Sequence, residues 1–150
     1  MLKMIYLGAD HAGFELKEAL RRHLEERGER FEDLGAHAYT KGDDYPIFAL
    51  NVAHRVAKSL EHRGILLCDT GIGVEIAANK VEGIRAALVH DETEAVRARQ
   101  HNDANVIALG ALGLAPEAAA KLVDLFLDTA FSGEERHLRR IEEIGEAEGD

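Results

Sequence analysis

Cys68 is the most nucleophilic side chain in the sequence, and it stands at the start of a glycine-rich turn. The stretch from Gly64 to Val81 reads GILLCDTGIGVEIAANKV. Its apolar beginning predicts a buried strand that ends at Cys68, and the glycines that follow let the backbone turn tightly into a helix from Val74 to Lys80. Such a turn directs backbone N–H groups and the positive end of a helix toward one point, where an anion is favoured.

A lone cysteine in this position has two interpretations. At the carboxyl end of a strand in an open α/β sheet, Cys68 lies where ligands bind, and a nearby helix N-terminus favours the reactive thiolate. A free cysteine is also a common residue of protein cores. The residues around Cys68 are therefore needed to distinguish a reactive cysteine from a core residue.

Asp10 and His11 follow the first predicted strand and form a second candidate group. If that strand lies beside the strand that ends at Cys68, all three side chains meet at one edge of the sheet and can hold a sugar. Asp10 is equally suited to capping the helix after it, because aspartate is a favoured N-cap residue.

Two more polar groups lie in the second half of the chain. His101 and Asn102 belong to the segment RQHNDANV, which has more hydrogen-bonding groups than a plain connection needs. His101 can act as an acid or base near neutral pH, although a single histidine is more often a surface residue. Arg136 and Arg140 share one face of a predicted helix and can clamp one phosphate, or they pair with neighbouring glutamates.

The elements that must position these side chains alternate between strand and helix. The predicted strands are 3–8, 30–34, 64–68, 84–89 and 106–109, and the predicted helices are 14–27, 46–60, 74–80, 91–100, 116–128 and 134–146. This alternation predicts parallel strands with right-handed crossovers and helices on both faces. The expected fold is a single α/β domain of 150 residues, doubly wound and Rossmann-like, with a five-stranded parallel sheet in flavodoxin-like order and a frayed end from Gly145 onward. Asp91 is the predicted N-cap of its helix, with Glu94 in the capping-box position.

Composition limits the classes of partner. The formal net charge of −10 argues against a nucleic-acid surface. The apolar runs fall short of the ~20 residues that a membrane span needs, and the N-terminus lacks the form of a signal peptide. One cysteine excludes an internal disulfide, so a reducing cytoplasm is the expected location.

Five motifs together resemble the ribose-5-phosphate isomerase B family, over residues 3–144 and in matching order. The wider family includes galactose-6-phosphate and allose-6-phosphate isomerases. The motifs are ADHAG at 9–13, CDTGIG at 68–73, IAANK at 76–80, RQHNDANV at 99–106 and RHLRR at 136–140. The resemblance implies an aldose–ketose isomerase that works through a cis-enediolate without a metal or cofactor. It also implies a homodimer, or a tetramer, with active sites shared between subunits.

The resemblance implies a role for each residue of the cysteine turn. Cys68 matches the family base that moves a proton between C1 and C2. Thr70, with the backbone of Gly71 and Gly73, matches the anion hole for the enediolate, and Ile72 counts with them as substrate-binding. In some relatives the cysteine is replaced and a glutamate one residue before Glu75 serves as base, so Glu75 itself is not expected to be catalytic.

The other roles implied by the resemblance concern the rest of the sugar phosphate. His101 matches the residue that opens the sugar ring, with assistance from Asp10, and Asn102 contacts the sugar. His11, Arg136 and Arg140 match phosphate contacts. Tyr45 matches a residue that lines the site.

Two positions depart from the family pattern, and both affect the expected substrate. Asp69 stands where the ribose enzymes usually have glycine, and if it faced the thiolate its charge would weaken the base. Leu112 stands where many relatives have a phosphate-binding arginine, and one such contact is worth ~1.5–3 kcal/mol. The same chemistry on another sugar phosphate, a tetrose, galactose 6-phosphate or allose 6-phosphate, is the alternative, with Asp69 accepting from a hydroxyl.

Two alternatives come from other functional classes. A signalling receiver domain has the same kind of fold and would use Asp69 as its phosphoacceptor, but the lysine expected after the fifth strand is absent from Leu109-Gly110-Ala111. A nucleotide-binding stress module would use the glycine turn without catalysis and would not need Cys68.

Overall fold

A five-stranded sheet with helices on both sides forms the protein, which a computed structural model describes from residue 2 to residue 149. The strands are β1 (Ile5–Ala9), β2 (Phe31–Asp33), β3 (Arg63–Cys68), β4 (Ala86–Leu88) and β5 (Val106–Gly110). The helices are α1 (Phe14–Arg27), α2 (Tyr45–Val56), α3 (Ile72–Ala78), α4 (Glu92–Asn102), α5 (Pro116–Asp128) and α6 (Glu135–Glu148), with a 3-10 turn at His11–Gly13. No helix among residues 2–149 is long and apolar enough to cross a membrane.

All neighbouring strands are parallel, in the order β2-β1-β3-β5-β4. The parallel α/β fold is confirmed, but the flavodoxin-like order, in which β4 would lie between β3 and β5, is wrong. Burial explains the difference. Residues 106–109 of β5 are completely buried and need cover on both faces, whereas Ala87 and Leu88 of β4 are only partly buried and suit an edge.

The two faces of the sheet carry separate hydrophobic cores. Ile5 and Leu7 of β1 point to the face covered by α1, α4 and α5, and Tyr6 between them points to the face covered by α2 and α3. Helix α6 belongs to neither core, since His137 is its one buried residue.

The helix ends show how well local signals locate boundaries. Helices α1 and α5 begin and end at the predicted residues, α2 ends at Val56 rather than near Leu60, and α3 begins earlier, at Ile72. Asp91 caps α4 as predicted, because its carboxylate accepts the Glu94 N–H at 2.8 Å. The α6 helix continues to Glu148, beyond the point where fraying was expected. Asp150 of that predicted frayed end lies outside the described residues.

Polar side chains of the IAANK region close the outer edge of β4. Asn79 accepts the Ala86 N–H at 2.8 Å and donates to the Ala86 carbonyl at 3.0 Å. Glu75 accepts the Leu88 N–H at 3.2 Å. An open strand edge invites pairing with another chain, so these contacts satisfy the edge while holding α3, and the turn before it, against the sheet.

Candidate active site

Cys68 ends β3 and is almost completely buried, at 5% exposure. The Gly71 N–H donates to its Sγ at 3.2 Å. The turn that follows Cys68 therefore holds its sulfur in one orientation, at the border of the hydrophobic core that α2 and α3 form with the sheet. The same contact occupies the Gly71 N–H, which the resemblance assigned to the anion hole.

The turn after Cys68 is packed so closely that two of its positions require glycine. Gly71 has φ +80°, and a Cβ there would lie 2.6 Å from the Leu88 side chain and 2.9 Å from the Gly110 nitrogen. A Cβ on Gly73 would lie 2.6 Å from the ring of Tyr45. The Tyr45 ring thus lies against the turn, and its place in the wall of a substrate site stays a prediction.

Thr70 and Ile72 are exposed members of this turn, as is Asp69. Thr70 Oγ1 accepts the Ile72 N–H at 3.3 Å, and Ile72 itself is 50% exposed. The hydroxyl of Thr70 and the first turn of α3 therefore face solvent at the carboxyl end of the sheet, where a substrate can reach them.

Asp10 and His11 lie beside the cysteine turn, because β1 pairs with β3 and Ala9 is opposite Leu67. Asp10 caps the 3-10 turn, with Oδ1 accepting the Gly13 N–H at 3.1 Å. Burial raises the pKa of the Asp10 carboxyl, against the lowering effect of that hydrogen bond. Asp10 thus caps the turn after β1, on the strand next to the one that ends at Cys68, and its role toward a sugar stays a prediction.

Asp43 is a member of the candidate site that the sequence analysis did not single out. Its Oδ1 accepts both the His11 backbone N–H and the His11 ring nitrogen Nδ1, each at 2.8 Å. This hydrogen bond raises the pKa of His11. The other ring nitrogen, Nε2, is left outside this contact, and it donates only when the ring is protonated. Asp43 sits in a polar loop with no local pattern to mark it, so only the fold brings it to His11.

The same three residues are the candidate cation ligands in the part of the chain that the structure describes. Ligand atoms of Asp10, His11 and Asp43 lie within 4.8 Å of one another. The His11–Asp43 hydrogen bond already uses Nδ1 and Oδ1, so a cation would have to displace it.

The two departures from the family pattern are neighbours in space. The Leu112 N–H donates to the Asp69 carbonyl at 3.0 Å, and both residues line a cavity of about 280 Å³ together with Thr70 and His90. Asp69 is exposed and Leu112 is 76% exposed. Asp69 therefore opens toward the cavity beside the turn.

His101 and Asn102 lie at the opposite edge of the sheet. They end α4, and the Asn102 carbonyl accepts from the Arg85 guanidinium, just before β4 begins. His101 packs on His137 of α6, with ring centroids 4.4 Å apart. Residues that end a helix in a parallel α/β fold lie where the next strand begins, and Cys68 lies where a strand ends.

Arg136 and Arg140 belong to this second group. Both are exposed at the start of α6, and Arg136 forms an ion pair with Glu134 at 2.8 Å. Within residues 2–149, no hydrogen bond or ion pair joins this group to the cysteine group. Asn105, just before β5, and Gly110, its last residue, are five residues apart, about 16 Å at ~3.3 Å per residue.

The fold and the turn define an α/β domain of the doubly wound class, with a cysteine and a glycine-rich turn at the carboxyl end of its central strand. The chain matches the family described as Ribose/Galactose Isomerase over residues 5–144. It belongs to that family.

Individual relatives cover nearly the whole chain. The ribose-5-phosphate isomerase B of Mycolicibacterium paratuberculosis is 43% identical over 144 residues, which are 96% of this chain and 91% of that protein. The crystal structure of ribose-5-phosphate isomerase B from Mycoplasma genitalium with bound ribulose-5-phosphate superimposes with a TM-score of 0.96 at 43% identity, covering 100% of this chain and 99% of that one. The type B ribose 5-phosphate isomerase of Trypanosoma brucei gives 0.90 at 48% identity, covering 98% and 99%.

Proposed function

We propose that this protein is a metal-independent aldose–ketose isomerase that interconverts ribose 5-phosphate and ribulose 5-phosphate through a cis-enediolate. The observation that carries the proposal is the buried Cys68, oriented by the Gly71 N–H, in a chain similar over its full length to an isomerase that binds ribulose-5-phosphate. The single cysteine is free, and a cytoplasmic location, which keeps a thiol reduced, is part of the proposal.

Cys68 acts as the base in this proposal. Its thiolate takes the C2 proton of the open-chain aldose and returns it to C1, while a hydroxyl proton moves from O2 to O1. The negative charge that develops on the oxygens is stabilised by donors already in place in the turn, the Thr70 hydroxyl and the N–H of Gly73. Because the turn is fixed by packing, these donors need no reorganisation during the reaction.

A second copy of the chain completes the site. His101, Asn102, Arg136 and Arg140 are too far from Cys68 to act on the same small molecule within one copy. A homodimer that places the α4–α6 edge of one copy against the cysteine turn of the other brings ring opening, phosphate binding and proton transfer together. The exposed arginines then hold the phosphate that an otherwise acidic surface would repel.

Mixing two inactive variants tests the shared site. Cys68→Ala and His101→Asn each remove one half, so each homodimer is expected to lose activity on ribose 5-phosphate. A mixed dimer regains one intact site of two. After unfolding and joint refolding, the mixture should recover about a quarter of wild-type activity, because half of the dimers are mixed and each has one working site. If the mixture remains as inactive as its parents, the site lies within one copy.

Proton exchange in D2O tests the base assignment. Wild type and Cys68→Ala are compared by NMR on four-, five- and six-carbon sugar phosphates, with Thr129→Ser as a control far from the turn. Exchange and isomerisation of ribose 5-phosphate that disappear in Cys68→Ala support the proposal. Wild-type turnover in the variant would rule out the cysteine base, and no exchange with any sugar would indicate a binding protein.

The second candidate is the same reaction on another sugar phosphate. It is favoured by the adjacent positions of Asp69 and Leu112 in the cavity beside the turn. A carboxylate there suits an additional sugar hydroxyl, and the leucine removes one expected phosphate contact. Activity confined to a tetrose or hexose phosphate in the same panel would select this candidate and keep the mechanism.

A further inference from the structure

His137 is a buried polar residue on a helix that is otherwise exposed. It is 5% exposed, and it is the one buried side chain of α6. A helix rich in charge gains little from burying an imidazole unless that ring has a task. The contacts of the ring show which part of the protein it stabilises.

Two contacts of the His137 side chain connect it to the last turn of α4. Its ring lies on the His101 ring at a centroid distance of 4.4 Å and an angle of 30°. Its Nδ1 is 3.0 Å from Ser132 Oγ. The Ser132 N–H in turn donates to the Gln100 carbonyl at 3.2 Å, one residue before His101. The His137 ring is thus held on its face by His101 and at Nδ1 by Ser132, which is itself bonded to the residue before His101.

The surroundings of His137 favour the neutral form of its ring, although the Glu134 carboxylate, 3.9 Å from Nδ1, acts in the opposite direction. Burial lowers its pKa, and the neighbouring His101 and Arg136 lower it further. Ser132 Oγ accepts the Glu134 N–H at 3.2 Å, so its own hydrogen is free to donate to Nδ1. A neutral ring with one satisfied nitrogen offers His101 a flat surface without a competing charge.

We propose that His137 is a positioning residue for ring opening: it sets the plane of the His101 ring and ties that ring to the helix that carries Arg136 and Arg140. This inference rests on the proposed function, which gives His101 its role. In ring opening the C1–O4 bond of the furanose breaks, O4 takes a proton from the acid, and the C1 hydroxyl loses its proton to a base. An acid that must reach O4 while the phosphate is held elsewhere depends on its orientation.

The step can be observed alone in a Cys68→Ala background. There isomerisation is blocked, but the enzyme still interconverts the α and β anomers of ribose 5-phosphate through the open chain, and NMR exchange spectroscopy measures that rate. Adding His137→Asn, which removes the ring surface, should slow anomer exchange about ten- to hundredfold. His137→Phe keeps a flat ring in place and should recover most of that loss.

Controls separate this role from a structural one. Glu142→Gln alters the opposite side of α6 by helical periodicity and should leave anomer exchange unchanged. With Cys68 intact, the His137 variants should lose less activity on an open-chain substrate than on ribose 5-phosphate. Equal losses on both substrates would indicate general damage and overturn the inference.

Two further results would also contradict it. Anomer exchange in folded His137→Asn at the parent rate, or equal slowing in His137→Phe and His137→Asn, would show that the ring contact does not position His101. If His101→Asn itself leaves anomer exchange unchanged, the ring-opening role in the proposed function fails and this inference fails with it. A wild type that isomerises no sugar phosphate but still exchanges anomers would overturn the proposed function alone.

Discussion

Replacing Gly71 by alanine tests how tightly the turn after β3 is held against its neighbours. The new Cβ would lie 2.6 Å from the Leu88 side chain and 2.9 Å from the Gly110 nitrogen. Ordinary contacts between carbon atoms lie at about 3.5–4.0 Å. Gly71 is also left-handed, with φ +80°, so the substitution adds backbone strain to the clash.

The two costs can be separated with Gly28, which has φ +73° and no atom within 4 Å of the position that a Cβ would take. Gly28→Ala should cost only the left-handed conformation, about 1–2 kcal/mol in the free energy of unfolding. Gly71→Ala should cost that amount and the overpacking of a filled site, about 1–3 kcal/mol more. The expected totals are therefore about 1–2 and about 2–5 kcal/mol.

Urea unfolding of both variants measures the difference, and isomerase kinetics measures its consequence. Because Gly71 donates to Cys68 Sγ, a shift of the turn near 1 Å should reduce kcat/KM about a hundredfold, while Gly28→Ala should retain wild-type activity. If Gly71→Ala is no less stable than Gly28→Ala, the contacts around the turn are not tight, and the account of the fixed thiol is wrong.

Two other contacts give measurable effects. Asn79→Ala removes both hydrogen bonds to Ala86, so it should lower the free energy of unfolding by about 1–3 kcal/mol and speed hydrogen exchange of the Ala86 amide. The control Lys80→Ala should change neither quantity. If the Ala86 amide is equally protected from exchange in both variants, Asn79 does not hold the edge of β4. Asp43→Asn removes the carboxylate that raises the pKa of His11. The stability advantage of wild type over this variant should be full below the ordinary histidine pKa near 6.5 and disappear as pH rises through the raised pKa of His11 in the folded protein. Urea unfolding of both proteins from pH 5.5 to 9 measures this advantage. If it is the same at every pH, Asp43 does not raise the pKa of His11.

The sequence predicted the strands and helices well because their signals are local. Proline at the start of α5 and the apolar period of α1 mark those helices in the chain itself. The order of β4 and β5 was missed, because Ala86 to Val89 is as apolar as Val106 to Leu109. What separates the two strands is how much of each face is covered, and that is decided only when all the helices pack.

Local signals in the sequence likewise predicted one part of the candidate site, and the other part depends on the complete fold. Cys68, Thr70 and Asp10 follow strands, so the rule that ligands gather at the carboxyl ends of parallel strands places them together. His101 was grouped with them only by resemblance, although its position at the end of a helix already places it at the other edge of a parallel sheet. An active site drawn from both edges cannot close within one copy. The separation seen in the fold is therefore the physical reason to expect a second copy of the chain, and the recovery of activity in mixed dimers measures it directly.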